Sequence, residues 1–316
     1  MRVAVTGASG FVGGVVAERL LAAGHDVVAL SRRPVPTRPG LEHRTWDLTT
    51  GRLPDPPTVD AVVHAAAHVD EWSPWSVHAA VTVRGTRAVL DTWPTARVVL
   101  ISSASVYPLR GRHSPRWVLT EDDPPTRRPL SDYSRAKIAQ EQLVLTRSDT
   151  VVLRPHAVHG RGDTTLLPRL ARARRRGRLV CPGGPGTRVH LTDVRLVAAA
   201  AVAGCEIDCG TSIVNVADES PLRLRDVAAG VVAANGWEER PLFTGAPAAW
   251  AAVLALEGTA RLLRSRTPPL LTAYSVSHLA VSRAFSTTRL RERLGLTPPP
   301  TDLTRWTARG PLTPPC

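Results

Sequence analysis

The sequence is poor in lysine, cysteine and aromatic residues: it contains one lysine and four cysteines, and only 4% of its residues are aromatic. Four cysteines in 316 residues are too few for the disulfide framework of a small secreted domain. Cys205 and Cys209 are four positions apart, with no second pair and no histidine close by in sequence, so we predict no metal site. The scarcity of aromatic side chains leaves little for stacking on nucleic-acid bases.

Long apolar runs are also missing. The longest apolar stretch, residues 196–205, has about half of the roughly 18 residues that a membrane-spanning helix requires. Met1 and Arg2 lead directly into a strand pattern rather than into a signal peptide. We therefore expect a cytoplasmic protein without a membrane span.

The net charge of +13 would by itself indicate an anionic partner. However, Lys137 is the only lysine among the 40 basic residues, and asparagine occurs only twice, which is the bias of a GC-rich coding sequence. The densest basic patch, residues 169–178, is better explained as the solvated face of a helix, since no nucleic-acid-binding motif accompanies it. We predict a small-molecule substrate and no nucleic-acid partner.

Residues 1–160 alternate short, β-branched strand patterns with helical patterns. Strands are predicted at residues 3–6, 27–30, 59–63, 98–101 and 151–153, and helices at residues 13–23, 76–92 and 133–145. This alternation is typical of βαβ units. It predicts an α/β fold with a Rossmann-type, doubly wound parallel sheet, to which elements near residues 191–218 return.

The pattern becomes looser after residue 160. Helices are predicted at residues 166–178, 191–204, 222–235 and 248–256, and a strand at residues 212–216. We expect a smaller, mostly helical substrate-binding region built from residues 161–190 and 219–308. The proline-containing end, residues 309–316, is predicted to be a flexible tail.

Three glycines follow the first predicted strand and open the first predicted helix. Gly7 permits a tight turn, Gly10 lets backbone amides approach a pyrophosphate, and Gly13 allows the helix to pack closely on the sheet. The helix N-terminus adds a partial positive charge. The predicted dinucleotide contacts are Thr6, Gly7, Ser9, Gly10, Phe11, Val12 and Gly13.

The end of the second predicted strand favours NADP(H) over NAD(H). A carboxylate at this position would bind the ribose hydroxyls, but the sequence has Ser31, Arg32 and Arg33 instead. Ser31 leaves room for a 2′-phosphate, and the two guanidinium groups can pair with it. Asp47 and Leu48, which follow Trp46, are predicted to lie against the adenine.

Tyr133 and Lys137 are four positions apart on a predicted helix, so both project from the same face. A phenol with a pKa of about 10 is a poor proton carrier at neutral pH. A neighbouring ammonium group lowers that pKa and can also hydrogen-bond the nicotinamide ribose. Ser102, Ser103 and Ser105 follow a predicted strand, at the sheet edge where a hydroxyl can bind a substrate carbonyl.

Together these motifs resemble the extended short-chain dehydrogenase/reductase family, also called the NAD-dependent epimerase/dehydratase superfamily. The resemblance covers nearly the whole chain, and its motifs are the glycine loop and residues 64–67, 82–86, 102–107, 133–137 and 154–155. Residues 72–74, 154–163 and 268–272 resemble the 3β-hydroxysteroid dehydrogenase-like branch, which includes the 2-alkyl-3-oxoalkanoate reductases.

The resemblance implies roles for particular residues. The implied catalytic residues are Ser103, Tyr133 and Lys137. The implied cofactor contacts are His64, Ala65, Ala66, Ala67, Thr82, Tyr133, Lys137, Arg154 and Pro155. Trp72, Ser105, His156 and His159 are predicted to line the substrate pocket, with the helix at residues 248–256, Trp75 and Trp250 as further candidates. A homodimer is also implied.

The sequence departs from the family pattern at three places. Thr82 stands where the family usually has an asparagine, and Ala104 and Ser105 replace the Asp-Glu pair of the dehydratases, so dehydration is not expected. Ala157 stands where nucleotide-sugar enzymes commonly have an asparagine, which disfavours the epimerase alternative. We expect an NADP(H)-dependent oxidoreductase that interconverts a ketone and a secondary alcohol on a fairly apolar substrate, with Tyr133 as general acid and base. The alternatives are a nucleotide-sugar epimerase or 4-ketoreductase of the same superfamily, and a non-catalytic NADP-sensing protein.

Overall fold

The computed structural model describes residues 1–109, 117–265, 267–269 and 271–307. The tail predicted at residues 309–316 lies outside these ranges. None of the helices within them is both long enough and apolar enough to cross a membrane.

The centre of the molecule is a seven-stranded parallel sheet. Its strands, in chain order, are β1 (Arg2–Thr6), β2 (Asp26–Ser31), β3 (Leu41–Thr45), β4 (Ala61–His64), β5 (Arg97–Ile101), β6 (Thr150–Pro155) and β7 (Ser212–Val216). They lie side by side in the order β7-β6-β5-β4-β1-β2-β3. This is the α/β, doubly wound fold that the sequence predicts, and the structure adds β3, which the sequence analysis missed.

Helices cover both faces of the sheet. The helices of the described residues are α1 (Phe11–Ala22), α2 (Trp75–His78, the π-helical Ala79–Arg84 and Gly85–Thr92), α3 (Asp132–Val144), α4 (Leu166–Arg172), α5 (Val194–Glu206), α6 (Leu224–Ala234), α7 (Ala246–Leu262), α8 (Ala273–Leu279) and α9 (Thr288–Leu294). Helices α1, α5 and α9 pack on one face of the sheet, and α2 and α3 pack on the other. Apart from the partly exposed edge strand β3, the strands are largely buried from both sides, which explains their runs of valine, alanine and leucine.

The remaining elements are short. Single 3₁₀ turns occur at Leu48–Thr50, Ala104–Val106 and Leu303–Arg305. Short strands occur at Val118–Leu119, Val158–His159, Arg174–Arg175, Arg178–Cys181, Arg188–Val189, Thr192–Asp193, Leu222–Arg223, Arg240–Phe243 and Ala284–Phe285. Helices α4 and α6 and the strand Arg178–Cys181 enclose a second apolar core, separate from the one under the sheet.

The helix predicted at residues 166–178 is wrong in its second half. Helix α4 ends at Arg172, and the chain then forms an antiparallel pair between Arg174–Arg175 and Arg178–Cys181. Arg176 and Gly177 both have positive φ angles, 47° and 71°, which a helix cannot accommodate. A turn of this kind overrides the helix propensity of an arginine-rich run.

Candidate active site

A cavity of about 890 Å³ opens at the carboxyl ends of β1, β4, β5 and β6. In an open α/β sheet this is the edge at which ligands bind. Its wall includes predicted site residues from all parts of the first 155 positions: Thr6, Gly7, Ser9, Gly10, Phe11, Val12, Gly13, Ser31, Arg32, Arg33, Asp47, Leu48, Ala65, Ala66, Ala67, Ser103, Tyr133, Lys137 and Pro155.

The glycine loop forms one end of the cavity. A Cβ atom at Gly13 would lie 2.3 Å from the carbonyl oxygen of Gly7, so only glycine lets α1 pack this close to the turn. Gly10 begins the helix without a side-chain cap, and no acidic residue lies in the first turn. The N–H groups and positive dipole end of α1 are therefore available at the cavity wall, which fits a pyrophosphate group.

Two exposed arginines follow β2 beside this loop. The buried Ser31 hydroxyl donates a 2.6 Å hydrogen bond to the carbonyl of Arg33, and the Arg33 guanidinium donates a 3.1 Å bond to the carbonyl of Ser9. Hydrogen bonds from Thr49 hold the pKa of Asp47 below its usual value, and the positive charge of Arg32 acts in the same direction. The cavity end next to β2 is thus cationic, apart from Asp47.

Tyr133 and Lys137 lie on the buried face of α3. Ser131 caps this helix by accepting a hydrogen bond from the N–H of Ser134, which fixes where the helix starts. Burial raises the pKa of the Tyr133 phenol, while a hydrogen bond with Ser103 and the charge of Arg169 oppose that rise. Because the phenol is buried, it needs such neighbours to give up its proton near neutral pH.

Only one of the three candidate serines both lines the cavity and acts on the pKa of Tyr133. The hydroxyl of Ser102 donates to the buried carboxylate of Glu141, and Ser105 does not line the cavity. Ser103 lines the cavity, accepts a 3.1 Å hydrogen bond from the N–H of Ser105, and lowers the pKa of Tyr133 by hydrogen bonding. The geometry therefore singles out Ser103.

The ammonium of Lys137 is held by two acceptors. Its Nζ donates to the carbonyl of Ile101 at 2.8 Å and to the side-chain oxygen of Gln140 at 2.9 Å. Burial lowers the pKa of Lys137 to about 7, because the charged form loses its hydration. This amine therefore changes its protonation within the physiological pH range.

A buried hydrogen-bonded chain continues from Gln140 toward β4. The Thr86 hydroxyl donates its single proton to the carbonyl of Thr82 at 2.6 Å, so it can only accept from its other two partners. These partners are Nε2 of Gln140 at 2.8 Å and Nε2 of His64 at 2.9 Å. The amide orientation of Gln140 and the Nε2–H tautomer of His64 follow from this proton count.

The same chain ends at the glycine loop. Burial, reinforced by the charge of Lys137, lowers the pKa of His64 to about 3, so the ring is neutral. Its Nδ1 then accepts the proton of the Thr6 hydroxyl across 2.7 Å. Thr6 lines the cavity at the end of β1. His64 thus links the hydrogen bonds that hold Lys137 to Thr6, at the start of the dinucleotide loop.

The structure places three of the predicted cofactor contacts behind the cavity wall rather than on it. His64 and Thr82 belong to the buried chain just described. Arg154 is 2% exposed and pairs with Glu141 at 2.7 Å, with its guanidinium above the Tyr107 ring. These side chains face into the protein, where they can support residues that line the cavity.

The predicted substrate residues also lie off the wall. The Trp72 indole donates to the carbonyl of Ser265, and His159 pairs with Asp218 in the core. Ser105 belongs to a small separate pocket, and His156 lies behind His278, at 2.9 Å from it. The further candidates Trp75, Trp250 and residues 248–256 are likewise absent from the cavity lining.

Other residues form the substrate half of the cavity. Its polar members include Asp70, Glu71, Arg169, Tyr274, Ser275 and His278. Its apolar members include Leu166, Leu170, Leu179, Val189, Leu191, Leu224, Val227, Val231, Leu271 and Trp306. The Tyr274 ring lies edge-on to Tyr133, with 5.8 Å between ring centroids. Sequence reasoning missed these residues, because nothing local marks them; Arg169 was assigned to a solvated face.

Fold and cavity together define a dinucleotide-binding protein of the Rossmann class, with a tyrosine, a lysine and a serine on the cavity wall. Residues 3–217 match the NAD dependent epimerase/dehydratase family, and the chain belongs to that family. The resemblance found in the sequence is thereby confirmed.

The relatives of this chain include oxidoreductases that act on alcohols and ketones. It is 28% identical, over 94% of its length and 95% of the relative's, to a 2-alkyl-3-oxoalkanoate reductase of Stenotrophomonas maltophilia. It is 29% identical to a 3 beta-hydroxysteroid dehydrogenase/Delta 5-->4-isomerase of Mycobacterium tuberculosis, over 94% of this chain and 86% of the relative. Among solved structures, MoeE5 in complex with UDP-glucuronic acid and NAD has the same fold, with a TM-score of 0.71 at 24% identity over 97% of this chain and 96% of that one.

Proposed function

We propose that the protein is an NADP(H)-dependent oxidoreductase that interconverts a ketone and a secondary alcohol on a fairly apolar substrate. One observation carries the proposal: Ser103, Tyr133 and Lys137 meet on the wall of a single cavity, between the glycine loop and an apolar half. The oxidoreductases among the relatives support the same reaction class.

The residues at the loop end fit a phosphorylated dinucleotide. The N-terminus of α1 would bind the pyrophosphate, and Asp47 and Leu48 would lie against the adenosine. Arg32 and Arg33 would pair with a 2′-phosphate, which favours NADP(H). A bound nicotinamide cofactor supplies the hydride in reduction and accepts it in oxidation.

Residues of this chain would donate the proton and bind the carbonyl oxygen. In reduction, the Tyr133 hydroxyl donates its proton to the ketone oxygen, and Ser103 donates a hydrogen bond to the same oxygen. The Lys137 ammonium stabilises the resulting phenolate and holds the ribose. Gln140, Thr86 and His64 keep the lysine in place from behind.

The substrate half of the cavity favours an apolar ketone over a substrate that carries a nucleotide diphosphate. A nucleotide diphosphate brings two negative charges, and Arg169 is the one arginine or lysine among the described residues lining that half. Asp70 and Glu71 lie on the same wall and would repel a dianion. Aliphatic side chains cover most of the rest.

The predicted homodimer and cytoplasmic location stay predictions.

Initial rates of NADPH and NADH oxidation test the proposal over a panel of 3-oxo acids and esters, steroid ketones and nucleotide-sugar ketones. We expect NADPH-linked reduction of the apolar ketones. The joint Arg32→Ala and Arg33→Ala variant should lose at least about tenfold in NADPH preference while its NADH rate is retained. Arg52→Ala, at another exposed arginine, serves as the matched control. Turnover of nucleotide sugars alone, with NAD retained through purification, would replace the proposal by the epimerase alternative.

A further inference from the structure

One cation stands apart from the dinucleotide end of the cavity. Arg169, on α4, lines the substrate half with its side chain 23% exposed. Its Nη2 contacts the carboxylate of Glu71, whose side chain is only 6% exposed, and its guanidinium lies 6.0 Å from the centre of the Tyr274 ring. A buried partner and an aromatic ring thus hold the guanidinium at the cavity wall.

Arg169 is also close to the reacting phenol. The Tyr274 ring, over which the guanidinium lies, has its centroid 5.8 Å from that of Tyr133. The charge of Arg169 is felt at the phenol itself, where it opposes the rise in the Tyr133 pKa that burial causes. A group attached a few bonds from a carbonyl at Tyr133 therefore falls within the field of this guanidinium.

No other cation of the described wall serves the substrate half. Arg32 and Arg33 lie at the end of β2, and Lys137 donates to Ile101 and Gln140. Burial lowers the pKa of His278 well below its usual value, so this ring is neutral. Arg169 is therefore the cation available to a substrate there.

The surroundings of Arg169 select the kind of anion. A guanidinium has five N–H donors, and the contact with Glu71 is made through Nη2, so donors remain for a second acceptor. Its planar fork matches a carboxylate, which is a monoanion. Asp70 and Glu71 on the same wall repel a phosphate dianion more strongly than a carboxylate, because the dianion carries twice the charge.

We propose that Arg169 binds a carboxylate of the substrate, so that the enzyme prefers 3-oxo and 3-hydroxy acids over the corresponding esters. The apolar remainder of such an acid would lie against the leucine and valine side chains of the same half. This inference rests on the proposed function and adds a specificity-determining residue to it.

Oxidation with NADP⁺ of racemic 3-hydroxydecanoate and of its methyl ester tests the inference, since both compounds are stable in solution. We expect kcat/KM for the acid to exceed that for the ester about 10- to 100-fold, the strength of a charge-assisted hydrogen bond. Arg169→Gln alone would leave Glu71 buried without its partner and could unfold the protein. The joint Glu71→Gln and Arg169→Gln variant removes both charges together and should bring the ratio of acid to ester to about one, mainly through KM of the acid.

The ratio separates binding of the carboxylate from other effects, because any change in the Tyr133 pKa acts on acid and ester alike. Arg172→Gln, an exposed arginine on the same helix, is the matched control and should keep the wild-type ratio. A wild-type ratio near one, or an unchanged ratio in the joint variant, would overturn the inference while leaving the oxidoreductase proposal intact. If neither compound is oxidised and no ketone of the panel is reduced, the proposed function itself fails, and the inference fails with it.

Discussion

We expect the Lys137 amine to take up a proton when NADPH binds. Burial lowers the pKa of this amine to about 7 in the free protein. At pH 8 roughly nine in ten molecules then carry the neutral amine, one pH unit above the pKa. If the bound state requires the ammonium, NADPH binding at pH 8 must take up about 0.9 proton per site.

The affinity for NADPH should depend on pH for the same reason. Below pH 7 the free protein already carries the ammonium, so proton uptake through Lys137 disappears and affinity no longer changes on its account. Above pH 7 each further unit weakens NADPH binding by up to tenfold, about 1.4 kcal/mol, until the pKa of the bound state is reached.

Titration calorimetry of NADPH binding in two buffers of different ionisation enthalpy measures the uptake directly. The 2′-phosphate, with a second pKa near 6, is already ionised at pH 8 and contributes little. Lys137→Met replaces the amine by an apolar chain of similar length, so it should abolish the uptake that Lys137 causes. Equal proton uptake in wild type and Lys137→Met at pH 8 would refute the assignment of the bound ammonium.

Three further substitutions test the glycine loop, the Glu141–Arg154 ion pair and the contact between Gln140 and Lys137. Gly13→Ala should abolish measurable NADPH binding in a fluorescence titration, because the new Cβ would lie 2.3 Å from the carbonyl oxygen of Gly7. The control is Gly258→Ala, in a helix with open space around it, which should instead raise the free energy of unfolding by about 0.5–1 kcal/mol. Glu141→Gln should lower the free energy of unfolding in urea by about 3–5 kcal/mol, because it leaves a buried guanidinium without its counterion; an undiminished midpoint would contradict this. Gln140→Glu should raise the pKa of Lys137 and move the onset of NADPH proton uptake above pH 7, and an unmoved onset would refute contact between the two side chains.

The dinucleotide half of the site could be predicted because its signals are local. Gly7, Gly10 and Gly13 follow one strand directly, and their spacing reflects a turn, a close approach and a packing contact within eight residues. Tyr133 and Lys137 are one helical turn apart, so their common face follows from helix geometry alone. Such features need no knowledge of the tertiary structure.

The substrate half could not be predicted, since it is assembled from distant segments. Glu71, Arg169 and Tyr274 come from a loop and two helices separated by about a hundred residues each, and only the folded chain brings them together. The arginine-rich run gave no hint that one of its members faces inward.

The resemblance to a family identified residues without indicating which of them touch the ligand. His64 and Arg154 belong to its motifs, yet both are buried behind the wall, where they satisfy hydrogen bonds of Thr6 and Glu141. A motif groups the residues that line a site with those that support them. The folded structure separates the two, because His64 and Arg154 lie behind the cavity wall while Tyr133 and Lys137 lie on it.

We expect the buried phenol of Tyr133 to move the proton, while the cavity holds the cofactor independently of it. Tyr133→Phe separates the two roles when NADPH binding and reduction of the best ketone substrate are measured on the same sample. We expect an NADPH Kd within about twofold of wild type and a reduction rate lowered by about 10²- to 10⁴-fold. A variant that binds NADPH and still reduces the ketone at the wild-type rate would show that another group donates the proton.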